Sequence, residues 1–417
     1  MVERNSESMV LPLAGPAGDV LAAVLRDGAQ RMLAQSVQAE VEMWIAEHAH
    51  VTDAKGRRQV VRNGTLPPRQ ILTGLGPIPV TQPRVHDRRP EGEREKFTSK
   101  ILPPYLRKTR SVEELIPWLY LKGISSGDFA EALAALLGPE AAGLSASTVV
   151  RLKAVWEEDY KAWADRSLAD KHYVYVWADG VHFNIRLEDA GNDKQCILVL
   201  MGATADGKKE LIAVADGYRE SKQSWSELLL GCKARGLEKP PRLAVGDGAL
   251  GFWAALREVW PTTQEQRCWV HKAVNVLNAM PKHLHPKAKS MLHDIWMAAT
   301  WAEAGKALDL FTDSFAAKYP KACECLTKDR EVLLRFYDFP AEHWGHLRTT
   351  NPIESVFATV RLRTAKTKGS GSRIACLTMT WKLMESASKH WRALNGSKLL
   401  PDVLAGIPYT DGTRAAA

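Results

Sequence analysis

Apolar runs of strand length begin at His172 and recur at short intervals: Tyr173-Val174-Tyr175-Val176-Trp177, Val181-His182-Phe183-Asn184-Ile185-Arg186, Cys196-Ile197-Leu198-Val199-Leu200-Met201 and Leu211-Ile212-Ala213-Val214. Residues branched at Cβ or aromatic, in runs bounded by turn residues, read as strands of a buried sheet. Ser224 to Leu230, and on to Lys233, reads as a helix, and Arg242-Leu243-Ala244-Val245 and Glu265 to Trp269 read as further strands. The expected fold class is therefore α/β, an antiparallel meander followed by a helix and more strands. Residues 271–340 interrupt this core with mostly helical sequence, and Asn351-Pro352 opens a long C-terminal helix.

That order matches a ribonuclease H-like core. Asp179 follows the first run, and Asp247 follows Val245-Gly246, so the two acids stand where strand ends could present them on one sheet edge. Asp-Gly is also the preferred hairpin dipeptide, and Asp179-Gly180, Asp206-Gly207, Asp216-Gly217 and Asp247-Gly248 all share it. Spacing alone does not choose among them. Glu354 has its own local explanation, with Asn351 as N-cap, Pro352 at N1 and Glu354 at N3 of a capping box.

A chain of 417 residues exceeds one compact core. Its net charge of +8 is unevenly spread: residues 55–110 hold fourteen Lys/Arg against four acids, so the remainder is close to neutral. A local excess of this kind favours an anionic partner, and DNA is the partner expected here. A solvated linker is the plainer alternative. Asn63-Gly64, Pro67-Pro68 and Gly76-Pro77, with β-branched runs between, give a small basic β-ribbon. Ser111-Val112-Glu113-Glu114 caps a helix made short or kinked by Pro117; with helices from Gly127 to Leu137 and from Ser145 onward it forms a helix-turn-helix, Arg151 and Lys153 lying on the recognition helix.

The N-terminus lacks the pattern of a signal peptide, and no apolar stretch approaches the length of a membrane span, so a soluble cytoplasmic protein without a membrane partner is expected. Six sparse cysteines suit reduced thiols. Cys268 and His271 invite a zinc reading, but four ligands are not in evidence, and a structural role at the junction with the helical stretch is favoured. Trp344 could stack on an unpaired base or simply pack in a core. Arg361, Arg363, Lys366, Lys368 and Arg373, with no intervening acid, read as a clamp on the DNA backbone.

Thr350-Asn351-Pro352-Ile353-Glu354-Ser355, continued by Phe357, Arg361, Arg363 and Thr364, resembles the signature of Mutator-type transposases of bacterial insertion sequences. Trp177-Ala178-Asp179-Gly180, Val245-Gly246-Asp247-Gly248, Cys268-Trp269-Val270-His271 and Leu119-Tyr120-Leu121-Lys122-Gly123-Ile124-Ser125 resemble that family's other motifs, in order. The resemblance implies that Asp179, Asp247 and Glu354 are catalytic and bind two Mg²⁺ ions, with Mn²⁺ as a substitute. It further implies that the chain cuts the inverted-repeat ends of a mobile element and joins them to target DNA.

The expected plan is an N-terminal helical segment (1–54), the basic β-ribbon (55–110) and the helix-turn-helix (111–165). These precede a core (170–270), a helical insertion (271–345), the rest of the core with its clamp (346–400) and a tail (401–417). Handling two ends together suggests a homodimer or larger homo-oligomer. The rival readings are a non-catalytic DNA-binding regulator using residues 1–165, and a ribonuclease H-like nuclease with no joining step.

Overall fold

The computed structural model describes residues 20–121, 124, 129–137, 146–185, 194–217, 219–248, 250–366 and 370–415. The chain divides into two compact units, residues 1–149 and 150–417.

In the first unit, helix α1 (Val20–Glu47) precedes strands β1 (Val60–Thr65), β2 (Arg69–Thr73), β3 (Gly76–Val80) and β4 (Pro83–Asp87). β2 and β3 form the inner antiparallel pair, and β1 and β4 the outer one, so the basic segment is a nested β structure. Alternation along β2 and β3 turns Ile71, Ile78 and Val80 inward, where they meet Val37 of α1 and Leu102. Asp87, almost fully buried, accepts from the Arg89 guanidinium and from the Glu95 N–H, which fixes the chain leaving β4. Helix α2 (Arg110–Leu121) continues past Pro117, longer than that proline suggests, and shares a small core with α3 (Phe129–Leu137) through Val112, Leu119, Leu133 and Leu137. Helix α4 (Ala146–Ala164) begins in this unit and lies mostly in the second. The segments joining these helices, apart from residue 124, and the Arg151 side chain lie outside the described residues. Lys153 is half-buried.

The second unit is built on a five-stranded sheet of β5 (Tyr173–Asn184), β6 (Lys194–Thr204), β7 (Lys209–Gly217), β8 (Leu243–Gly246) and β9 (Gln264–Arg267), in the order β7-β6-β5-β8-β9. β5, β6 and β7 are antiparallel neighbours, whereas β5, β8 and β9 run parallel. One expectation is corrected here. Asp179-Gly180 does not end a strand: Asp179 pairs with Val199 and Gly180 with Leu198, so one long β5 replaces two short runs. The hairpin is at Asp206-Gly207 instead, where Gly207 takes φ +82°, a conformation glycine adopts without steric cost.

Helices α5 (Lys222–Ala234) and α6 (Leu250–Val259) cover one face of the sheet, burying Trp225, Leu229, Phe252 and Leu256 against Val176, Ala178, Leu198 and Ala244. On the other face the Tyr175 hydroxyl meets His343 Nδ1 at 2.8 Å, and Trp177 Nε1 donates to the His346 carbonyl. Between β9 and residue 350 the chain is helical throughout: α7 (Trp269–Asn278), α8 (His285–Met297), α9 (Trp301–Phe315), α10 (Pro320–Thr327), α11 (Arg330–Leu333) and α12 (Trp344–Leu347), with short 3-10 turns. Two side chains tie this stretch to the sheet. The Gln266 amide, wholly buried, donates to Leu333 O and accepts from Phe336 N, and Trp269 Nε1 also donates to Leu333 O. Deeper in, Asp329 takes both Arg267 and the fully buried Lys272 as partners.

Helices α13 (Asn351–Lys366), α14 (Arg373–Ser388) and α15 (Leu400–Ala405) lead to a small hairpin of β10 (Tyr409–Thr410) and β11 (Thr413–Arg414). The hairpin is packed rather than trailing. Asp411 accepts from Trp301 N, while Gly412 donates to Tyr337 O and accepts from Ala341 N. Among the described residues, no helix is long and apolar enough to cross a membrane.

Candidate active site

The geometry begins with strand register. Ala178 of β5 pairs in parallel with Gly246 of β8, so the next residues, Asp179 and Asp247, emerge side by side. Asp179 is 6% exposed, and its Oδ1 accepts from Gly180 N at 2.8 Å. Burial and the neighbouring Asp247 charge push its carboxyl up to about 7, against the opposing pull of His271 and the Gly180 N–H.

β9 runs parallel to β8, and Cys268 N donates to Gly246 O, which starts α7 beside the two aspartates and sets His271 in its first turn. Cys268 is fully buried and accepts at Sγ from Thr350 N at 3.3 Å and Thr350 Oγ1 at 3.4 Å. Burial works against ionisation of this thiol, but the hydrogen bonds from His271 and Thr350 outweigh it and hold the thiol below its usual value. His271 is held correspondingly high, at about 9, first by its hydrogen bond with Cys268 and then by the charges of Cys268, Asp179 and Glu354. It is therefore a cation at neutral pH.

The third acid arrives from the opposite end of the sequence. α13 begins at Asn351, and the Thr350 carbonyl accepts from Ile353 N and Glu354 N, which makes Thr350 the capping residue. The cap thus falls one residue before the expected Asn351, so Glu354 stands at N4 rather than at the N3 of a capping box, and the Thr350 N–H goes to Cys268. Glu354 Oε1 instead accepts from Thr350 Oγ1 at 3.0 Å and lies 3.7 Å from His271 Nδ1. The carboxylate expected to close a cap is thereby oriented toward the histidine.

The donor atoms of Cys268, His271 and Glu354 all lie within 4.8 Å of one another. The motif read from sequence as structural is therefore the hinge between the sheet edge and Glu354. The surrounding candidates separate. Trp344 is 9% exposed, donates from Nε1 to Phe339 O and packs edge-on against Phe336 and Tyr337, which leaves little ring face for a base. Arg373 forms a two-pronged pair with Asp216 and donates to Lys194 O, so it joins α14 to the meander. Arg361 is exposed and lies 5.8 Å from the Phe357 ring centroid. The side chains of Arg363 and Lys366, and the whole of Lys368, lie outside the described residues.

One residue went unread in the sequence. Glu220 precedes Ser221, the N-cap of α5, and is pushed up to about 7 by burial and by Asp247, with His271 opposing. Its only local signal was an acid beside a serine cap, which ordinarily marks nothing beyond a helix start.

A mixed α/β sheet that sets two aspartates side by side on adjacent parallel strands, with a glutamate held by Thr350 beside His271, is the frame in which the relatives are compared. The chain belongs to the Mutator family of transposases, matching the family model "Transposase, Mutator family" over residues 13–393. It is 53% identical over 301 residues to a transposase of insertion sequence element IS6120 from Mycolicibacterium smegmatis, covering 72% of this chain and 92% of that one. It is 50% identical over 293 residues to that of element IST2 from Acidithiobacillus ferrooxidans, covering 68% and 95%. The Drosophila P element transposase strand transfer complex aligns at 10% identity and TM-score 0.27, over 71% of this chain and 91% of that one; so slight a likeness carries no weight.

Proposed function

We propose that this transposase binds the terminal inverted repeats of its own insertion sequence, cleaves the element ends and transfers their 3′-hydroxyl strands to target DNA, using Asp179, Asp247 and Glu354 on a ribonuclease H-like core. What supports the reading is the register that sets Asp179 beside Asp247, together with His271, which lies 3.7 Å from Glu354 and feels the charges of both Asp179 and Glu354.

The donor set fits Mg²⁺. A hard divalent ion takes carboxylate oxygens and keeps water in its remaining positions. Asp179 and Glu220 are each raised by burial and by the Asp247 charge, a condition that a bound cation relieves. Two bound Mg²⁺ ions supply activation of the attacking oxygen and stabilisation of the leaving one. Asp179 would bind from within β5, Asp247 from the residue after β8 and Glu354 from α13. Thr350 keeps the Glu354 carboxylate in one orientation. His271 holds a proton beside Asp179 and Glu354 and places positive charge where a phosphodiester would approach. The basic segment of the first unit is suited to the phosphate backbone.

The test uses labelled element-end DNA with Mg²⁺, comparing wild type with Glu354→Gln. The reading requires cleavage and joining by wild type and loss of both, with end binding kept, in the variant. Equal activity in the two proteins shows that the site is misassigned. Binding without cleavage by either favours the regulator.

A further inference from the structure

Beside the three candidate acids a fourth, Glu220, lies against the backbone next to Asp179. Glu220 is held between the two segments that carry the aspartates, and two glycines make the fit. Gly180 directly follows Asp179 in β5, and a Cβ built on it would run into the Glu220 carboxylate. Gly251 lies in the first turn of α6, shortly after Asp247, and a Cβ there would run into the Glu220 carbonyl and the Ser221 and Lys222 backbone. Side chains at either position would displace Glu220, so its place depends on both neighbours being bare backbone. Ser221 then caps α5 by accepting from Ser224 N, which fixes where the loop ends.

The Glu220 carboxylate also has a choice of neighbours. His182 Nδ1 lies 4.0 Å from Glu220 Oε1, and the donor atoms of His182, Cys196 and Glu220 fall within 4.8 Å of one another. His182 is largely exposed, however, and the Cys196 thiol is driven up to about 12 by burial and by the acids around it, so it stays protonated. A softer ion prefers thiolate and imidazole, whereas a hard ion prefers oxygen. The Glu220 carboxylate lies against Gly180, the residue after Asp179, and its backbone lies against Gly251 beyond Asp247, which makes the aspartate pair its natural company.

We propose that Glu220 is a fourth carboxylate of the catalytic metal centre, a positioning residue that holds an ion, directly or through a water, against Asp179 and Asp247. The inference rests on the assignment of those aspartates as metal-binding. It adds a residue from the loop before α5, on the helix-covered side of β5, to acids gathered from β5, β8 and α13.

The experiment is a titration of the full-length protein with Mn²⁺, free and bound ion being counted by electron paramagnetic resonance, without DNA. Wild type is compared with Glu220→Gln, Asp179→Asn and His182→Ala, and thermal melting without metal verifies that each is folded. Glu220→Asp serves as a second variant that keeps the charge. Outer ligands of metal sites commonly contribute ten- to a hundredfold in affinity, so Glu220→Gln is expected to weaken Mn²⁺ binding about tenfold, Glu220→Asp less, and His182→Ala not at all. If Asp179→Asn loses binding while Glu220→Gln matches wild type, Glu220 has no part in the centre. If His182→Ala weakens binding as much as Glu220→Gln, the ion sits in a separate histidine-containing site and the proposal is overturned. If Asp179→Asn binds like wild type, the assignment of the aspartates fails, and this inference fails with it.

Discussion

Asp179 and Asp247 stand one residue beyond a matched pair, Ala178 and Gly246, on adjacent parallel strands. Parallel pairing advances both chains in the same direction, so Asp247 leaves the end of β8 beside Asp179, which is still paired with β6. An antiparallel neighbour with the same matched pair would have set the second acid opposite Trp177, two residues back along β5.

This closeness gives the metal-free protein a defined pH response. The Asp179 carboxyl is raised in the folded state to about 7, and a raised group contributes stability that is complete below its unfolded value and is lost as pH rises through the folded one. Metal-free wild type should therefore melt at progressively lower temperature from about pH 4 to above pH 7. Asp179→Asn should flatten this slope and stabilise the metal-free protein at pH 8 by about 1–3 kcal/mol. Millimolar Mg²⁺ should raise the wild-type melting temperature at pH 8 and leave the variant unchanged. Calorimetry across the pH series measures all of this, and a variant less stable than wild type at pH 8 contradicts it.

Thr350 is wholly buried and serves both Cys268 and Glu354. Thr350→Val preserves its shape and removes the hydroxyl. Cleavage should fall about ten- to a hundredfold, as for other groups that orient a metal ligand, while binding of end DNA stays within a factor of about two. Thr350→Ser should recover most of the rate. Single-turnover cleavage on pre-bound DNA separates these effects, and an unchanged rate in the valine variant refutes the orienting role.

In the first unit, Asp87 is held well below the usual carboxylate range by the Arg89 guanidinium, assisted by the Glu95 and Arg89 N–H groups. A depressed group contributes stability that is present above its unfolded value and lost as pH falls through the folded one. This contribution should be intact at pH 6 and decline below about pH 4. Asp87→Asn should lower stability at pH 6 and narrow the difference between pH 6 and pH 3. Hydrogen exchange at the β1–β4 amides provides the measurement.

Asp329 neutralises Arg267 and the fully buried Lys272 together. Asp329→Asn leaves two neighbouring cations without their counter-charge and should destabilise the second unit by about 3–5 kcal/mol. Lys272→Met in the same background should return a large part of that loss. Urea unfolding of the single and double variants decides the matter, and additive losses rule out the coupling.

The fold and site were legible in the sequence to different depths. Strand runs from Tyr173 to Val245 were plain, because buried strands carry dense β-branched and aromatic residues. The turn that Asp179-Gly180 suggests does not form. The dipeptide favours a turn locally, but pairing of both residues with β6 overrides it. For Glu354, local spacing points to a capping box on Asn351, but the helix is capped one residue earlier by Thr350, which is held by Cys268, 82 positions away in sequence, and this takes the carboxylate out of the capping position. Glu220 was invisible for the same reason: the glycines that define its place, Gly180 and Gly251, come from other segments. Trp344 and Arg373 show the reverse case, an aromatic and a cation whose three-dimensional partners are Phe339 and Asp216.

The joint between Cys268 and Thr350 has a consequence for how the protein is made. β5, β8 and β9 leave the ribosome well before α13, so a nascent sheet can form while its third acid is still untranslated. The growing chain holds the Asp179–Asp247 pair without Glu354 until Thr350 docks on Cys268. A truncated product that stops before that docking retains the first unit's basic ribbon but has only part of the carboxylate cluster.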